Sequence, residues 1–504
     1  MNRSALYWSA NACFGLVALV GGAVAGTAGA VHPLYLILLF ALCSTPILLI
    51  RSLNDRYGLL ALFSFAYFVF YGLLDLTHLL FPSQSVEADT GGLISADELV
   101  ILVGGVVAHL GYHVGCRLVS AGAPGESRIR DWSEQGLVVW GVVLWAVSTW
   151  VTWQLRVHVL VDNSIETASR GFNAMSPLQL DAILIAGYMQ PMGIVILAYA
   201  YCMYRKPYVL LGLLGAIFVE MIFGFVIDSK GQVLIGVILV SITQLLVKGK
   251  VPKVWLGVGA AMIVLVFPVL QANRVAMGLR GTVHSDAAQD IGTTIARALA
   301  AQESGHYRSE TFIERSSMKH SVAMIVDETG NGVPFENGRT IEPLLYTFIP
   351  RSVWPDKPDV PTGRLVNQQF HVSDQVETNI SPSHLGELYW NFGWPGVLVG
   401  MPFIGALLGF IAALFDLQRA VTLTRILVLI ATIKLLILGF ESVINVQYSV
   451  WMRSMLAIGL LHVVFARVRV AGSGGDARDA LVPAPTGTAL APAAAAPRFP
   501  NLMA

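Results

Sequence analysis

The chain has 504 residues, of which 55% are apolar and only 13% are charged, and its mean hydropathy is +0.65. A soluble protein of this length would hardly reach these values, so the composition predicts an all-α polytopic integral membrane protein. The formal net charge is zero and the sequence has no basic arm, which excludes the usual signature of a nucleic-acid partner.

Apolar runs of about 18 residues or more predict about twelve transmembrane helices. In chain order these runs cover 6–28, 31–50, 59–80, 97–118, 137–155, 182–203, 208–227, 231–247, 254–271, 394–415, 426–445 and 450–467. The first run is interpreted as a spanning helix and not as a signal peptide, because the second run follows almost at once.

Arginine and lysine concentrate in alternate short loops, for example 51–56, 117–130 and 248–253, whereas the loops 29–31 and 81–96 contain none. The positive-inside rule therefore places both termini in the cytoplasm. The same count of spans places the long polar stretch 272–393, called the insert from here on, on the outer side of the membrane.

The chain thus divides into four predicted parts: transmembrane helices 1–9 over 1–271, the insert over 272–393, transmembrane helices 10–12 over 394–470, and a tail over 471–504. The tail is rich in Gly, Ala and Pro and is predicted to be disordered. Helical spacing in the insert predicts two short helices, within 286–302 and 309–327.

One segment of the insert, 348–358, combines prolines with basic and aromatic residues. Proline fixes φ and extends the residue before it, so Arg351 and Lys357 are predicted to project from a stiff loop. Cations held in this way suit a polyanion such as a pyrophosphate. The alternative is that both are solvated or paired with Asp356 and Asp359.

Other cations and an aromatic side chain are candidates for the same ligand. Lys230 lies in a tight outer turn, Arg274 stands just past the ninth span, and Arg364 lies in the insert. Trp354 is a candidate for stacking on a sugar. For each of them the alternative is an ordinary role: a local pair, an anchor at the head groups, a fold contact, or membership of an interfacial aromatic belt.

His384 and Glu387 are the candidates for acid–base chemistry. They are three residues apart, so one turn of helix would place both on the same face. Either His384 accepts a proton while Glu387 orients it, or Glu387 is itself the base. The alternative is that Glu387 caps or pairs locally where the chain enters the tenth span.

Ionisable residues inside the spans are costly and need partners. Asp75 and His78 are three residues apart, and Glu441 and Arg453 flank the outer end of the last hairpin. Such groups usually have a functional role, and the alternative is mutual pairing near the outer interface, which suits Glu441 and Arg453. Glu220 either lines a groove for a lipid carrier or is a buried structural partner.

Three motifs of the insert, read in order, resemble a known family. They are Pro-Phe-x-x-Gly-x-Thr at 334–340, Ile-Pro-Arg-x-x-Trp-Pro-Asp-Lys-Pro at 349–358, and Gly-Glu-x-Tyr-x-Asn-Phe-Gly-x-x-Gly at 386–396. Together with Ser-Lys-Gly at 229–231, they look like the bacterial oligosaccharide repeat-unit polymerases of the Wzy type, the O-antigen and exopolysaccharide polymerases. The resemblance covers about 215–415 in detail.

The resemblance implies a GT-C-like membrane glycosyltransferase in the bacterial inner (plasma) membrane that joins oligosaccharides carried on undecaprenyl pyrophosphate. Such an enzyme needs no metal, nucleotide or other cofactor, because the lipid-linked donor is already activated. Its implied partners are two lipid-linked glycans and membrane lipids, and the protein partners that the resemblance suggests are a chain-length regulator and a flippase. It must stabilise the departing pyrophosphate and deprotonate a sugar hydroxyl.

Two other functions stay open. A ligase similar to the O-antigen ligases would use the same donor and differ only in its acceptor. A transporter of polysaccharide or lipid would need broken helices and polar groups at mid-membrane. The sequence shows few such groups away from the outer third, which favours an enzyme.

Overall fold

The computed structural model describes residues 3–25, 32–52, 54–80, 93–120, 134–160, 176–226, 230–263, 317–347, 349–358, 361–372 and 380–468. These residues are mostly helical, and the one pairing of extended backbone among them is an isolated bridge between Thr329 and Val333. The predicted all-α fold class is therefore confirmed. The predicted helix within 286–302, Arg274 and the tail 471–504 lie outside the described residues.

Most of the described helices follow the apolar runs of the sequence, and three of them lie in the insert. They are α1 (Arg3–Ala25), α2 (Pro33–Ser44), α3 (Pro46–Leu49), α4 (Gly58–Tyr71), α5 (Leu73–Leu80), α6 (Ala96–Ser120), α7 (Glu134–Leu160), α8 (Pro177–Tyr204), α9 (Pro207–Val226), α10 (Lys230–Lys248), α11 (Lys253–Ile263), α12 (Lys319–Glu328), α13 (Thr362–Phe370), α14 (Ser383–Phe392), α15 (Trp394–Leu414), α16 (Leu423–Thr432) and α17 (Ile444–Val468). Shorter turns are 3₁₀ at Glu342–Tyr346, π at Ile433–Ile437 and 3₁₀ at Leu438–Glu441.

Within the described ranges, seven helices are long and apolar enough to cross a membrane. They are α1, α6, α7, α8, α9, α15 and the stretch that begins with α16 and ends at Glu441. An eighth span is formed if α4 and α5, which meet at a bend of 52°, are taken together. The chain is thus a helical membrane protein, as predicted.

Different segments of the chain lie at the two ends of the helix bundle. Elements of the insert lie over one end, here called the insert end, where the Met318 N–H donates to the Phe70 carbonyl at 2.8 Å. At the opposite end the short connecting loops contact each other, as in the 2.7 Å bond from the Gln418 amide to the Asn54 side chain. The described part of the insert and the loops that hold Asn54 and Gln418 therefore lie at opposite ends of the bundle, and the side of the membrane that each end faces stays a prediction.

Helices α6 and α15 cross with their backbones in contact. Gly111 and Gly115 of α6 and Gly405 and Gly409 of α15 each face a carbonyl oxygen of the other helix. A Cβ at these positions would lie between 1.9 and 2.1 Å from that oxygen, so only glycine fits. The Gly-x-x-x-Gly spacing on both helices is the small-residue packing that drives helix association in lipid.

The described insert has a small core of its own. Ile325, Val333, Val366, Phe370 and Trp390, contributed by α12, α13, α14 and the turn after α12, are buried against one another. This core holds α14 over the insert end of the bundle, directly before α15 begins.

Candidate functional site

Helix α14, which carries both predicted catalytic residues, begins and ends at residues with positive φ. Ser383, its first residue, has φ of +60°, and Gly393, just past its end, has φ of +62°. A non-glycine residue rarely adopts this conformation and needs support from its surroundings. Two hydrogen bonds stabilise Ser383 in this conformation: its hydroxyl accepts from the Tyr71 hydroxyl at 3.0 Å and from the Gly386 N–H at 3.3 Å.

Two of the three motif segments are bonded to each other. The Asn337 N–H donates to the Asn391 carbonyl at 3.1 Å, and the Gly338 N–H donates to the Asn391 side-chain oxygen at 2.8 Å. The Asn391 amide nitrogen in turn donates to the Thr340 hydroxyl and to the Glu387 carbonyl, both at 2.8 Å. Asn391 therefore fastens the segment 334–340 along α14, which accounts for the amide and the glycine in these motifs.

His384 and Glu387 lie one turn apart on α14, and both are fully buried. Glu387 Oε2 accepts the N–H of Ile444, the first residue of α17, at 2.6 Å, so the carboxylate caps that helix and is favoured by its dipole. The His384 ring contacts the rings of Phe440 and Tyr448, with centroid distances of 4.8 and 5.5 Å. The predicted one-turn geometry is present.

Burial shifts the titration of the two groups in opposite directions. It lowers the pKa of His384 to about 3, so the imidazole is neutral at physiological pH. It raises the pKa of Glu387 to about 7, although the Ile444 N–H and the Thr340 hydroxyl act to lower it. A general base works best with a pKa near the working pH, which favours Glu387 over His384 as the proton acceptor.

Lys319, at the start of α12, forms a buried ionic cluster with the bundle. Its Nζ lies 2.5 Å from Asp75 Oδ2, 2.7 Å from Glu98 Oε1, and 4.7 Å from the centre of the Tyr35 ring. The other Glu98 oxygen lies 2.7 Å from His32 Nδ1. Burial favours the neutral amine, but the two carboxylates outweigh it and raise the pKa of Lys319. Asp75 thus bonds Lys319, and His78, the partner that the sequence suggests, lies close enough to act on Asp75 electrostatically.

The basic segment 349–358 docks onto the start of α8. A capping box of Ser176 and Gln179 begins this helix, and one of its next residues, Asp181, accepts the Arg351 and Ser352 N–H groups at 3.3 and 2.9 Å. The segment is therefore tied to the bundle through its own backbone.

The basic side chains of this segment bond to nearby carbonyls. Arg351 donates to the Lys357 carbonyl at 3.3 Å, and Lys357 donates to the Ile349 carbonyl at 2.9 Å. Trp354 is 37% exposed and packs edge-on against Tyr346 at 5.7 Å. The segment is compact, as its prolines predict, and it presents its cations beside an exposed indole.

Arg453 of α17 holds the turn that leads into this segment. Its guanidinium donates to the Thr347 carbonyl at 2.5 Å and to the Tyr188 hydroxyl at 3.0 Å. Glu441, its predicted partner, is not among these contacts. Arg453 therefore joins α8, α17 and the insert.

The remaining predicted cations are distributed differently. Arg364 lies half-buried on α13. Lys230 is the first residue of α10, and its side chain lies outside the described part of the structure, as does the whole of Arg274. The structure thus brings Arg351, Trp354 and Lys357 together, and His384 with Glu387, and leaves the grouping of the other three as a prediction.

Glu220 lies inside the membrane part with three hydrogen-bond donors. Its carboxylate accepts from Trp145 at 3.0 Å, Gln190 at 2.5 Å and Gln232 at 2.6 Å. Lys434, on the π-helical turn, is its nearby countercharge. This arrangement satisfies the buried carboxylate, as expected for a structural partner.

Sequence reasoning missed several residues that the site needs. Lys319 and Glu98 meet across 221 positions, so their pairing leaves no local pattern. Thr340 and Asn391 were part of the motifs, but a hydrogen bond between them could not be read from two separate segments. Tyr448 stands between Gln447 and Ser449, outside the predicted spans, so no local pattern marks it as buried.

A family model described as a domain of unknown function (DUF8712) matches residues 179–469, more than half of the chain. No curated protein and no solved structure matches the sequence. The matched stretch runs from the start of α8 past the end of α17, and it contains every predicted site residue.

Proposed function

We propose that this chain, which belongs to the family of the domain of unknown function DUF8712, is a membrane glycosyltransferase that polymerises lipid-linked oligosaccharide repeat units into a surface polysaccharide. It transfers a glycan from one undecaprenyl pyrophosphate to a hydroxyl of a repeat unit on a second carrier, at the outer face of the inner membrane. In this function the insert lies outside the cytoplasm and twelve helices cross the membrane.

The observation that carries the proposal is a fully buried carboxyl, that of Glu387, at the place where the motif segments 334–340 and 386–396 are bonded to each other. Glu387 Oε2 is fixed by the Ile444 N–H, whereas Oε1 has no hydrogen bond of normal geometry within the described residues. A carboxylate of this kind can take a proton from a sugar hydroxyl as that oxygen attacks the donor. Neutral His384, one turn away, can hold the acceptor.

The donor's pyrophosphate is assigned to the basic segment. Arg351 and Lys357 would neutralise the charge that develops on the leaving group, with Lys230, Arg274 and Arg364 as further contacts, and Trp354 would stack on a sugar. The rigid attachment of this segment to Asp181 supports the assignment, because a preorganised cation stabilises the transition state without reorganising.

Replacing Arg351 by alanine should shorten the polysaccharide in cells by lowering chain extension about 10- to 100-fold, the range expected for loss of a charged hydrogen bond. Arg351→Lys should recover only part of this rate, because an ammonium cannot make two parallel bonds to a phosphate. The measurement is glycan length on gels at matched protein level. Arg339→Ala, which removes an exposed guanidinium of the same insert, is the control. Polysaccharide of wild-type length in Arg351→Ala would show that Arg351 is not part of the site.

The orientation can be tested with single cysteines in a variant that lacks the four native ones. Gly332→Cys lies on an exposed turn at the insert end, and Lys250→Cys lies on an exposed loop at the other end. A membrane-impermeant maleimide should label position 332 in spheroplasts and position 250 only after lysis. Labelling in the reverse order would invert the topology.

The function itself is tested by the glycan profile of a deletion strain. A polymerase predicts loss of long chains while single repeat units remain attached to their acceptor. A ligase predicts that full-length chains accumulate on the lipid carrier. An unchanged profile with full-length surface polysaccharide would refute both activities.

Transport is a second candidate, favoured by the breaks in the helices. The α4–α5 bend of 52°, the π turn after α16 and the Glu220 network are features that transporters place around a central site. In proteoliposomes a transporter would move a labelled lipid-linked glycan across the bilayer without lengthening it. Extension of the glycan without translocation supports the polymerase.

A further inference from the structure

Several buried polar atoms at the junction of α14 and α17 make no hydrogen bond of normal geometry with the described residues. They are both ring nitrogens of His384, Oε1 of Glu387, Oδ1 of Asn445 and the hydroxyl of Tyr448. All four side chains are more than nine-tenths buried. Buried polar groups are normally bonded, and leaving one unpaired destabilises the fold, so a cluster of them indicates a site for a polar ligand.

These groups share one small volume. The Ile444 N–H bonds Glu387 at 2.6 Å, which brings the first turn of α17 against α14, and Asn445 is the next residue. Tyr448, one turn further along α17, lies with its ring 5.5 Å from the ring of His384. The Asn445 amide nitrogen donates to the Thr362 hydroxyl at 3.4 Å, and its oxygen is left as the acceptor.

We propose that Asn445 and Tyr448 complete, with His384 and Glu387, a binding site for hydroxyl groups of the acceptor sugar. This inference rests on the proposed polymerase function and adds to it two residues outside the motifs. The donor and acceptor capacities match a polyol: the carboxylate and the Asn445 oxygen accept, the Tyr448 hydroxyl donates or accepts, and neutral His384 offers one donor and one acceptor.

In the reaction, the acceptor hydroxyl is held with its hydrogen on Glu387 Oε1. Its oxygen forms a bond to the anomeric carbon of the donor glycan, and its proton passes to Oε1. The bond between that carbon and the pyrophosphate oxygen breaks, and the electron pair leaves with the pyrophosphate. Tyr448 keeps the attacking oxygen oriented toward the donor, so it is a substrate-binding residue and Asn445 is a second one.

The turn that joins the 3₁₀ helix Leu438–Glu441 to α17 lies against this site. Phe440 of that turn lies 4.8 Å from the His384 ring and covers it. The turn is tied to the insert by the Ser381 hydroxyl, which donates to the Glu441 carbonyl. Entry of the acceptor therefore displaces Phe440, a side chain of a non-α segment whose backbone can move without breaking a long helix.

The test compares two tyrosine hydroxyls with opposite surroundings. Tyr448→Phe removes a hydroxyl with no partner in the described structure, so the melting temperature of the purified protein should stay unchanged or rise. Tyr35→Phe, the control, removes a hydroxyl that donates to the Tyr71 carbonyl at 2.7 Å, so its melting temperature should fall. Extension of lipid-linked repeat units isolated from the deletion strain should drop at least tenfold in Tyr448→Phe.

Asn445→Leu gives an independent check, because it removes the accepting oxygen with little change of volume, and extension should again fall at least tenfold. Extension at the wild-type rate in both variants, or a Tyr448→Phe melting temperature as low as that of Tyr35→Phe, would overturn the site while the polymerase stands. A wild-type protein that fails to extend these units overturns the proposed function, and this site falls with it.

Discussion

Replacing Glu387 by glutamine should lower the rate of chain extension by about 10² to 10⁴, the range that general-base catalysis contributes. Glutamine keeps the volume and the oxygen that accepts the Ile444 N–H, so α17 stays capped. It cannot take a proton. The measurement is single-turnover extension by purified protein, with binding of a labelled lipid-linked unit followed separately, because binding should persist.

The same substitution should also change how the stability of the protein depends on pH. The folded-state pKa of Glu387 is raised from an ordinary value near 4.5 to about 7, so folding favours the protonated form. Wild-type stability should therefore fall as pH rises from about 4.5 through 7, by about 3 kcal/mol in total. Glu387→Gln lacks this loss, so its melting temperature relative to wild type should increase with pH. Wild-type activity should rise over the upper part of this interval, since the base must be ionised.

His384→Gln is the matched control one turn away. If Glu387 is the base, this change should reduce extension less than Glu387→Gln does. A larger loss of extension in His384→Gln than in Glu387→Gln would make His384 the base and Glu387 the residue that orients it. Normal extension in both variants would make the pair structural and would leave Glu220 and Glu441 as the next carboxylates to test.

Replacing Lys319 by methionine should destabilise the folded protein by about 3 to 5 kcal/mol, the cost of leaving buried charges without their partner. Asp75 and Glu98 are both buried, and Lys319 is the cation that both contact. The change should appear as a lower melting temperature in detergent. Extension should fall with it, because α12 supports α14.

Two controls separate charge from packing. Lys250→Met removes an exposed lysine at the opposite end and should leave the melting temperature unchanged. Adding Asp75→Asn and Glu98→Gln to Lys319→Met should recover much of the loss, because a neutral cluster carries no uncompensated charge. A melting temperature in Lys319→Met equal to wild type would show that the cluster contributes little.

Hydropathy predicts the membrane part well where a helix is long and regular. The predicted runs 97–118 and 394–415 correspond closely to α6 and α15, because each residue of a span must face lipid or an apolar neighbour. Hydropathy does not predict the bend between α4 and α5 or the π turn after α16. Both depend on packing between helices, which a window of sequence does not contain.

The candidate site also has some features that the local sequence predicts and others that depend on the fold. The one-turn spacing of His384 and Glu387 is local and follows from sequence. Lys319 and Asp75 are 244 positions apart, so their contact appears only in the folded chain. Glu387 shows a partial success: a cap is correctly anticipated as its ordinary role, but the helix that it caps is α17 and not the helix that follows it in sequence.

The close packing of α6 against α15 through glycines helps to decide which part of this chain can fold by itself. The family match begins at residue 179, after α6 has ended. A fragment that begins at residue 179 would lack α6. Gly405 and Gly409 of α15 would then lose the backbone carbonyls on which they pack. It would also lack Glu98 for Lys319 and Tyr71 for Ser383. The stretch that the family model matches is therefore shorter than the part of the chain that packs together, and swaps between relatives should exchange Tyr71 and residues 96–120 together with the matched stretch.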